Sequence, residues 1–120
     1  MSGATSWNSE LPSGRNPFWI KDEALADLGL HPGDAVSVDT RREPQNGDLA
    51  LLEVETDELS DRLVRRFFAD GDNVRLVAAN AAVPELRVWP DQMIVLGVVC
   101  ARLRFEPAGD ESVRILEEPL

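Results

Sequence analysis

Side chains able to do covalent or acid–base chemistry are few here: one histidine, His31, one cysteine, Cys100, one lysine, Lys21, and serines that include Ser37 and Ser60. A serine or cysteine nucleophile needs a base within hydrogen-bond reach to take its proton. His31 stands in the turn His31-Pro32-Gly33, where a surface or turn-capping role is the ordinary one. Ser37 follows a Gly-Asp turn within an alternating apolar segment, which predicts an outward polar side chain. Ser60 has Asp61 and Arg62 beside it and no lysine near it in sequence. Cys100 lies in the apolar run 93–101 and reads as a small buried hydrophobe. A single cysteine forms no internal disulfide, which fits a reducing cytoplasm. One histidine and one cysteine outside any cluster give no zinc site, and no cofactor is called for.

Charge narrows the partners. The 120 residues carry a net charge of −10, against a protein that grips nucleic acid directly, because that needs a basic face. Arg41-Arg42 and the group Arg62, Arg65, Arg66 read as a solvated face or as partners for the many carboxylates. With 43% hydrophobic and 28% charged residues, the chain has the composition of one soluble globular domain. The run 93–101 is too short to span a bilayer, and the N-terminus lacks the charged and apolar pattern of a signal peptide. Both point to the cytoplasm rather than a membrane.

These residues must be placed by short strands. Residues 1–17 are rich in Ser, Gly, Asn and Pro and read as a mobile arm, with Trp7 and Leu11 as local anchors. Residues 18–20 form a short strand candidate. Residues 22–30 read as a short helix, with Asp22 as N-cap, Leu25, Leu28 and Leu30 on its apolar side and Gly29 as C-cap. Two Gly-Asp pairs, Gly33-Asp34 and Gly47-Asp48, each open a strand, over 35–39 and 49–54. Their glycines accept positive φ and their carboxylates can bond the backbone of their own turn. Residues 57–66 suit a helix by composition, yet 62–67 alternate like a strand. Residues 70–73 are a hairpin turn, 74–77 its returning strand, 86–89 another short strand between Pro84 and Pro90, and 92–104 the longest. Residues 106–120 form an acidic, loose tail with one short strand over 113–116. Many short strands with Gly, Pro and Asp turns predict a mainly β fold of coiled antiparallel sheets with a small barrel and one short helix.

The ordered set, helix, L-G-L-H-P-G-D, valine strand, N-G-D, second strand, R-L-V-R-R-F, G-D-N, V-R-L-V-A-A-N and I-V-L-G-V-V, resembles the C-terminal domain of LexA-type repressors. That S24 peptidase-like family includes phage repressors and UmuD-type polymerase accessory proteins. The resemblance covers residues 18–105. It implies self-cleavage by a serine at the start of the short helix and a lysine on the strand before the G-[DN] turn. Counting back from Gly33-Asp34, the serine position falls on Ala24; counting back from Asn80, the lysine position falls on Arg65. Alanine offers no nucleophile, and arginine stays protonated, so it is a poor general base. Lys21 stands at the wrong end of the helix. The family's Ala-Gly or Cys-Gly cleavage pair is absent, Ser13-Gly14 being the nearest match.

Two functions follow from the resemblance. One is a catalytically inactive S24/LexA-like module for dimerisation or protein binding, in stress-type (SOS-like) or phage-type transcription control. The other is a divergent serine peptidase that cleaves itself or a partner. For the first, residues 100–105 suggest a homodimer built around Cys100, Arg102, Leu103, Arg104 and Phe105, with Leu103 and Phe105 on an apolar face and the two arginines offset by the acidic tail. Trp19 and Trp89 are candidates for a groove, with core filling as their default. With no helix-turn-helix before residue 18, DNA contacts fall to a separate DNA-binding or polymerase-type partner.

Overall fold

The computed structural model describes Leu11 and residues 14–120. Eight strands in one antiparallel sheet account for the architecture: β1 Arg15–Trp19, β2 Ala35–Asp39, β3 Leu49–Glu55, β4 Ser60–Asp70, β5 Asn73–Val77, β6 Leu86–Val88, β7 Met93–Pro107 and β8 Val113–Glu118. Their order is β1-β2-β7-β3-β4-β5-β6, with β8 added to β7. The mainly β expectation is met, and of the ambiguous residues 57–66, 60–66 form the start of β4 while 57–59 belong to the turn before it. The expected helix shrinks to one 3-10 turn, Ala26–Leu28. Its C-terminal end matches the sequence cue, Gly29 closing it at φ 76°. Its N-cap is Leu25 with no side-chain cap, and Asp22 Oδ1 accepts instead from the Ala24 N–H ahead of the turn, at 3.0 Å. Three residues bury too little apolar surface to hold a longer helix on its own.

The two Gly-Asp pairs form the same turn twice. Gly33 has φ 97° and Gly47 φ 94°. Asp34 Oδ2 accepts from the His31 N–H at 2.9 Å, and Asp48 Oδ2 from the Gln45 N–H at 2.9 Å. Each carboxylate thereby closes the loop three residues behind it and launches the strand at a fixed angle.

β3 shows why its run is continuously apolar. Leu49 and Leu51 belong to one core cluster, with Ile20, Leu25, Val36, Val38 and Val64. Ala50, Leu52 and Val54 belong to another, with Leu63, Val74, Leu76 and Val88. Successive side chains point to opposite faces, so a strand buried on both faces reads as unbroken apolar sequence. The second cluster is the inside of the curl made by β3 to β6.

β7 is the spine. It pairs with β3 from Met93 to Val98, with β2 from Val98 to Leu103 and with β8 from Arg102 to Pro107. Register shifts opposite Leu51/Leu52 and Ser37/Val38 mark bulges at Leu96 and Cys100, where an extra residue bends the strand. Gly97 lies between them, where an added Cβ would sit 2.7 Å from the Asp39 carbonyl oxygen.

Three expectations need correction. Ser37 does not point to solvent: both faces of β2 are covered, Ser37 is fully buried, and its hydroxyl donates to Glu117. The C-terminal segment is not loose. β8 is laddered onto β7, and its Ile115 packs with Ala35 and Leu103, with Leu11 beside them. Only Ile115 of this edge strand is fully buried, so its sequence carries no alternation. Cys100 is half-buried rather than fully buried, because its bulge lifts it out of the ladder. Of the expected arm, Trp7 and Ser13 lie outside the described residues, and β1 already begins at Arg15.

Candidate functional site

Ala24 and Arg65 are both buried, and Asp22 links them. One carboxylate oxygen accepts from the Ala24 N–H at 3.0 Å, and the other is 3.4 Å from Arg65 Nη2. Arg65 Nη1 donates to the Val64 carbonyl at 2.9 Å, and Arg65 Nε finds no partner among the described residues. The turn carrying Ala24 is pinned from the far side. Asn80 Nδ2 donates to the Glu23 carbonyl at 2.8 Å, and the Asp27 N–H donates to the Ala79 carbonyl at 2.8 Å. This gives the asparagine after β5 its physical reason.

The recess next to this ion pair is lined by Ile20, Lys21, Asp22, Leu25, Leu63 and Val64 and encloses about 10 Å³, room for roughly one water. Lys21 does not reach into a dyad: it pairs with Asp61, whose carboxyl is held below its ordinary value chiefly by that hydrogen bond. His31 Nδ1 lies 3.0 Å from Glu23 Oε1, both exposed. Among the described residues no group of three or more His, Cys, Asp or Glu is placed to hold a metal.

A second polar cluster was not legible in the sequence. Arg15 Nη1 meets both Glu117 oxygens at 2.9 and 2.8 Å, Ser37 Oγ donates to the second of them, and Arg15 Nε lies 3.9 Å from Asp39. The hydrogen bond to Glu117 raises the Arg15 guanidinium above its ordinary value. This clasp ties β8 to β1 and β2. Ser37 is fully buried there, with its proton facing the carboxylate.

The residues 100–105 fall to separate tasks. Arg102 donates to the Leu28 and Gly29 carbonyls at 2.8 and 3.1 Å, capping the 3-10 turn. Leu103 is core. Arg104 pairs with Glu106 and Glu118 at 3.0 and 3.2 Å. Phe105 stacks on Trp19 with ring centroids 6.2 Å apart. Arg42 Nη1 approaches Cys100 Sγ at 3.7 Å. At Arg102 and Leu103, β2 occupies one edge of β7 and β8 the other, so the backbone ladder is filled at those two residues. Trp89 is not core; it is 54% exposed.

Residues 5–100 match the family model described as peptidase S24-like. The chain is similar to protein SamA of Salmonella typhimurium, 29% identical over 79 residues, covering 66% of this chain and 51% of SamA. It is also similar to the LexA repressor of Enterococcus faecalis, 29% identical over 85 residues, covering 71% of this chain and 38% of that repressor. The LexA repressor of Ectopseudomonas mendocina is 30% identical over 73 residues, covering 61% of this chain and 34% of the repressor. The chain thus spans about half the length of SamA and little more than a third of these repressors. Among the described residues no helix is long and apolar enough to cross a membrane.

Proposed function

The chain belongs to the peptidase S24-like family, and from that premise we propose that it is a member that does not cut, a protein-binding and regulatory module of the LexA-like type. The observation that carries this reading is the Asp22–Arg65 pair beside Ala24. A serine–lysine mechanism needs a hydroxyl and a neutral amine at that place, the amine stripped of its proton by burial. Here a methyl group takes the first position. A guanidinium held to a carboxylate takes the second, and it has no accessible neutral form. No side chain in the recess replaces either function.

The experiment is incubation of the purified full chain at neutral and alkaline pH, followed by intact mass measurement. The expected result is a single unchanged mass. A cut, above all near Ser13-Gly14, would restore the alternative of a divergent peptidase. The double replacement Ala24→Ser with Arg65→Lys is expected to stay intact as well, because Asp22 would hold the new lysine protonated. Adding Asp22→Asn to those two removes that carboxylate and is the variant in which cleavage has its best chance.

Regulation by such a module includes pairing of two copies, and the surface left for it near β7 and β8 holds Arg104 and Phe105 but not Leu103. A stress-type or phage-type role in transcription control, with DNA contacts made by a separate DNA-binding or polymerase-type protein, is consistent with the net charge of −10.

A further inference from the structure

The sheet leaves outer edges at β1, β6 and β8. An unpaired edge is a row of free backbone donors and acceptors, and proteins blunt such edges with proline or charge. β1 has Pro17 at its centre, and β8 ends in Glu117 and Glu118, already engaged by Arg15 and Arg104. β6 has Arg87 at its centre, but that charge is engaged by Asp70 and Glu85. It pairs only with β5, through Leu86, Arg87 and Val88, and its other side opens on a groove of about 470 Å³.

The opposite wall of that groove is the tip of the β3–β4 hairpin. Leu59, Leu86 and Val88 form its floor, the exposed Trp89 closes one side, and Asp57 and Glu58 stand on the other. Neither carboxylate has a cation within salt-bridge distance among the described residues. Arg87, the cation of the groove, is spent on Asp70 at 2.8 Å and on Glu85 at 3.7 Å. The free charge here is therefore negative, and it faces an indole.

We propose that this groove takes an extended, arginine- or lysine-bearing segment of a partner protein, which adds a strand to β6 and places a cationic side chain between Trp89 and the carboxylates of Asp57 and Glu58. Strand addition supplies main-chain hydrogen bonds, and alternate side chains enter the groove for specificity. A guanidinium or ammonium gains from the indole face and from the two carboxylates together. A second copy of this acidic chain is the less suitable occupant, since like charges oppose the approach. The three-residue edge offers few main-chain bonds, so the complex is a weak, reversible one. The inference rests on the binding-module reading. A chain that cut itself and still bound here would overturn that reading and leave this one standing.

The test uses the full chain, isotopically labelled, and two end-blocked heptapeptides, one alternating valine with arginine and the other valine with glutamate. Titration followed by amide resonances is expected to shift residues 57–59 and 86–89 saturably with the arginine peptide, and at least tenfold more weakly with the glutamate peptide. Trp89→Ala is expected to weaken arginine-peptide binding at least tenfold and Glu58→Gln at least threefold. Equal response to both peptides, shifts centred on β1 or β8, or shifts that never saturate would overturn the proposal. Unchanged binding by a folded Trp89→Ala would do the same. Should that variant fail to fold, Glu58→Gln, at an exposed position, decides alone. Broadening of the groove amides with protein concentration and no peptide would assign the groove to a second copy and overturn the partner named here.

Discussion

Arg15 donates to both oxygens of Glu117, which also takes the Ser37 hydroxyl, whereas the more deeply buried Arg65 reaches one oxygen of Asp22 at 3.4 Å and leaves its Nε without a partner. In the first, one guanidinium nitrogen meets both carboxylate oxygens, and the cluster joins three strands. The second is long, one-sided and joins a strand to a loop. Buried charge stabilises only where geometry and remaining hydrogen bonds offset desolvation. By that measure the Arg15 cluster is structural. The Arg65 cluster is the poorer stabiliser.

The comparison can be broken by deletion. Glu117→Ala strands the Arg15 guanidinium and the Ser37 hydroxyl together, and is expected to lower stability by about 2 to 3 kcal/mol in urea unfolding. A change near zero would mean that the clasp is ornamental. Asp22→Ala leaves the Arg65 charge unpaired and the Ala24 N–H uncapped, with an expected loss of about 1 to 2 kcal/mol. Arg65→Met is the sharper case. Replacing a poorly paired buried cation by an apolar chain of similar length is expected to fall within about 1 kcal/mol of the parent, on either side. A loss as large as that of Glu117→Ala would erase the distinction between the two clusters.

Two weaker perturbations refine it. Phe105→Asp removes the stack on Trp19 at about 0.5 to 1.5 kcal/mol and leaves both clusters in place. In sedimentation it should also shift any dimer toward monomer. A parent chain that is monomeric at high concentration would end the pairing proposal. Lys21–Asp61 is a surface counterpart of the two clusters. The Asp61 carboxyl is depressed in the fold, so its contribution is present above the ordinary aspartate range and fades as pH falls below about 4. Asp61→Asn should lower the urea midpoint slightly at pH 7 and leave it unchanged near pH 2.

The frame was legible because turns and alternation are local. Gly33-Asp34, Gly47-Asp48 and the turn at Gly71 each announce themselves in two or three residues, and the valine and leucine runs between them can only be strands. Counting along that frame from the family resemblance is what assigns the dyad positions to Ala24 and Arg65. What escaped is non-local. Nothing near Ser37 says that a glutamate 80 residues away will take its hydroxyl. Nothing near Arg102 says that it will cap a turn more than 70 residues earlier. The helix over 22–30 was overestimated because its leucines suit a helix face equally well when they are splayed from a loop into the core. The short strand expected over 113–116 is present as β8, two residues longer, whereas its docking on β7 escaped because only Ile115 among its residues is fully buried.

β7 has a consequence for the order in which the chain is made. A ribosome emits β1 to β6 first, and at that stage β2 has no partner beyond β1, while β3 presents an open edge. The two pieces share no ladder until Met93–Pro107 emerges and pairs with both. The nascent protein therefore waits, half-assembled and with two adhesive borders, for β7. A ribosome stalled before that point would release a species prone to aggregate rather than a smaller working domain.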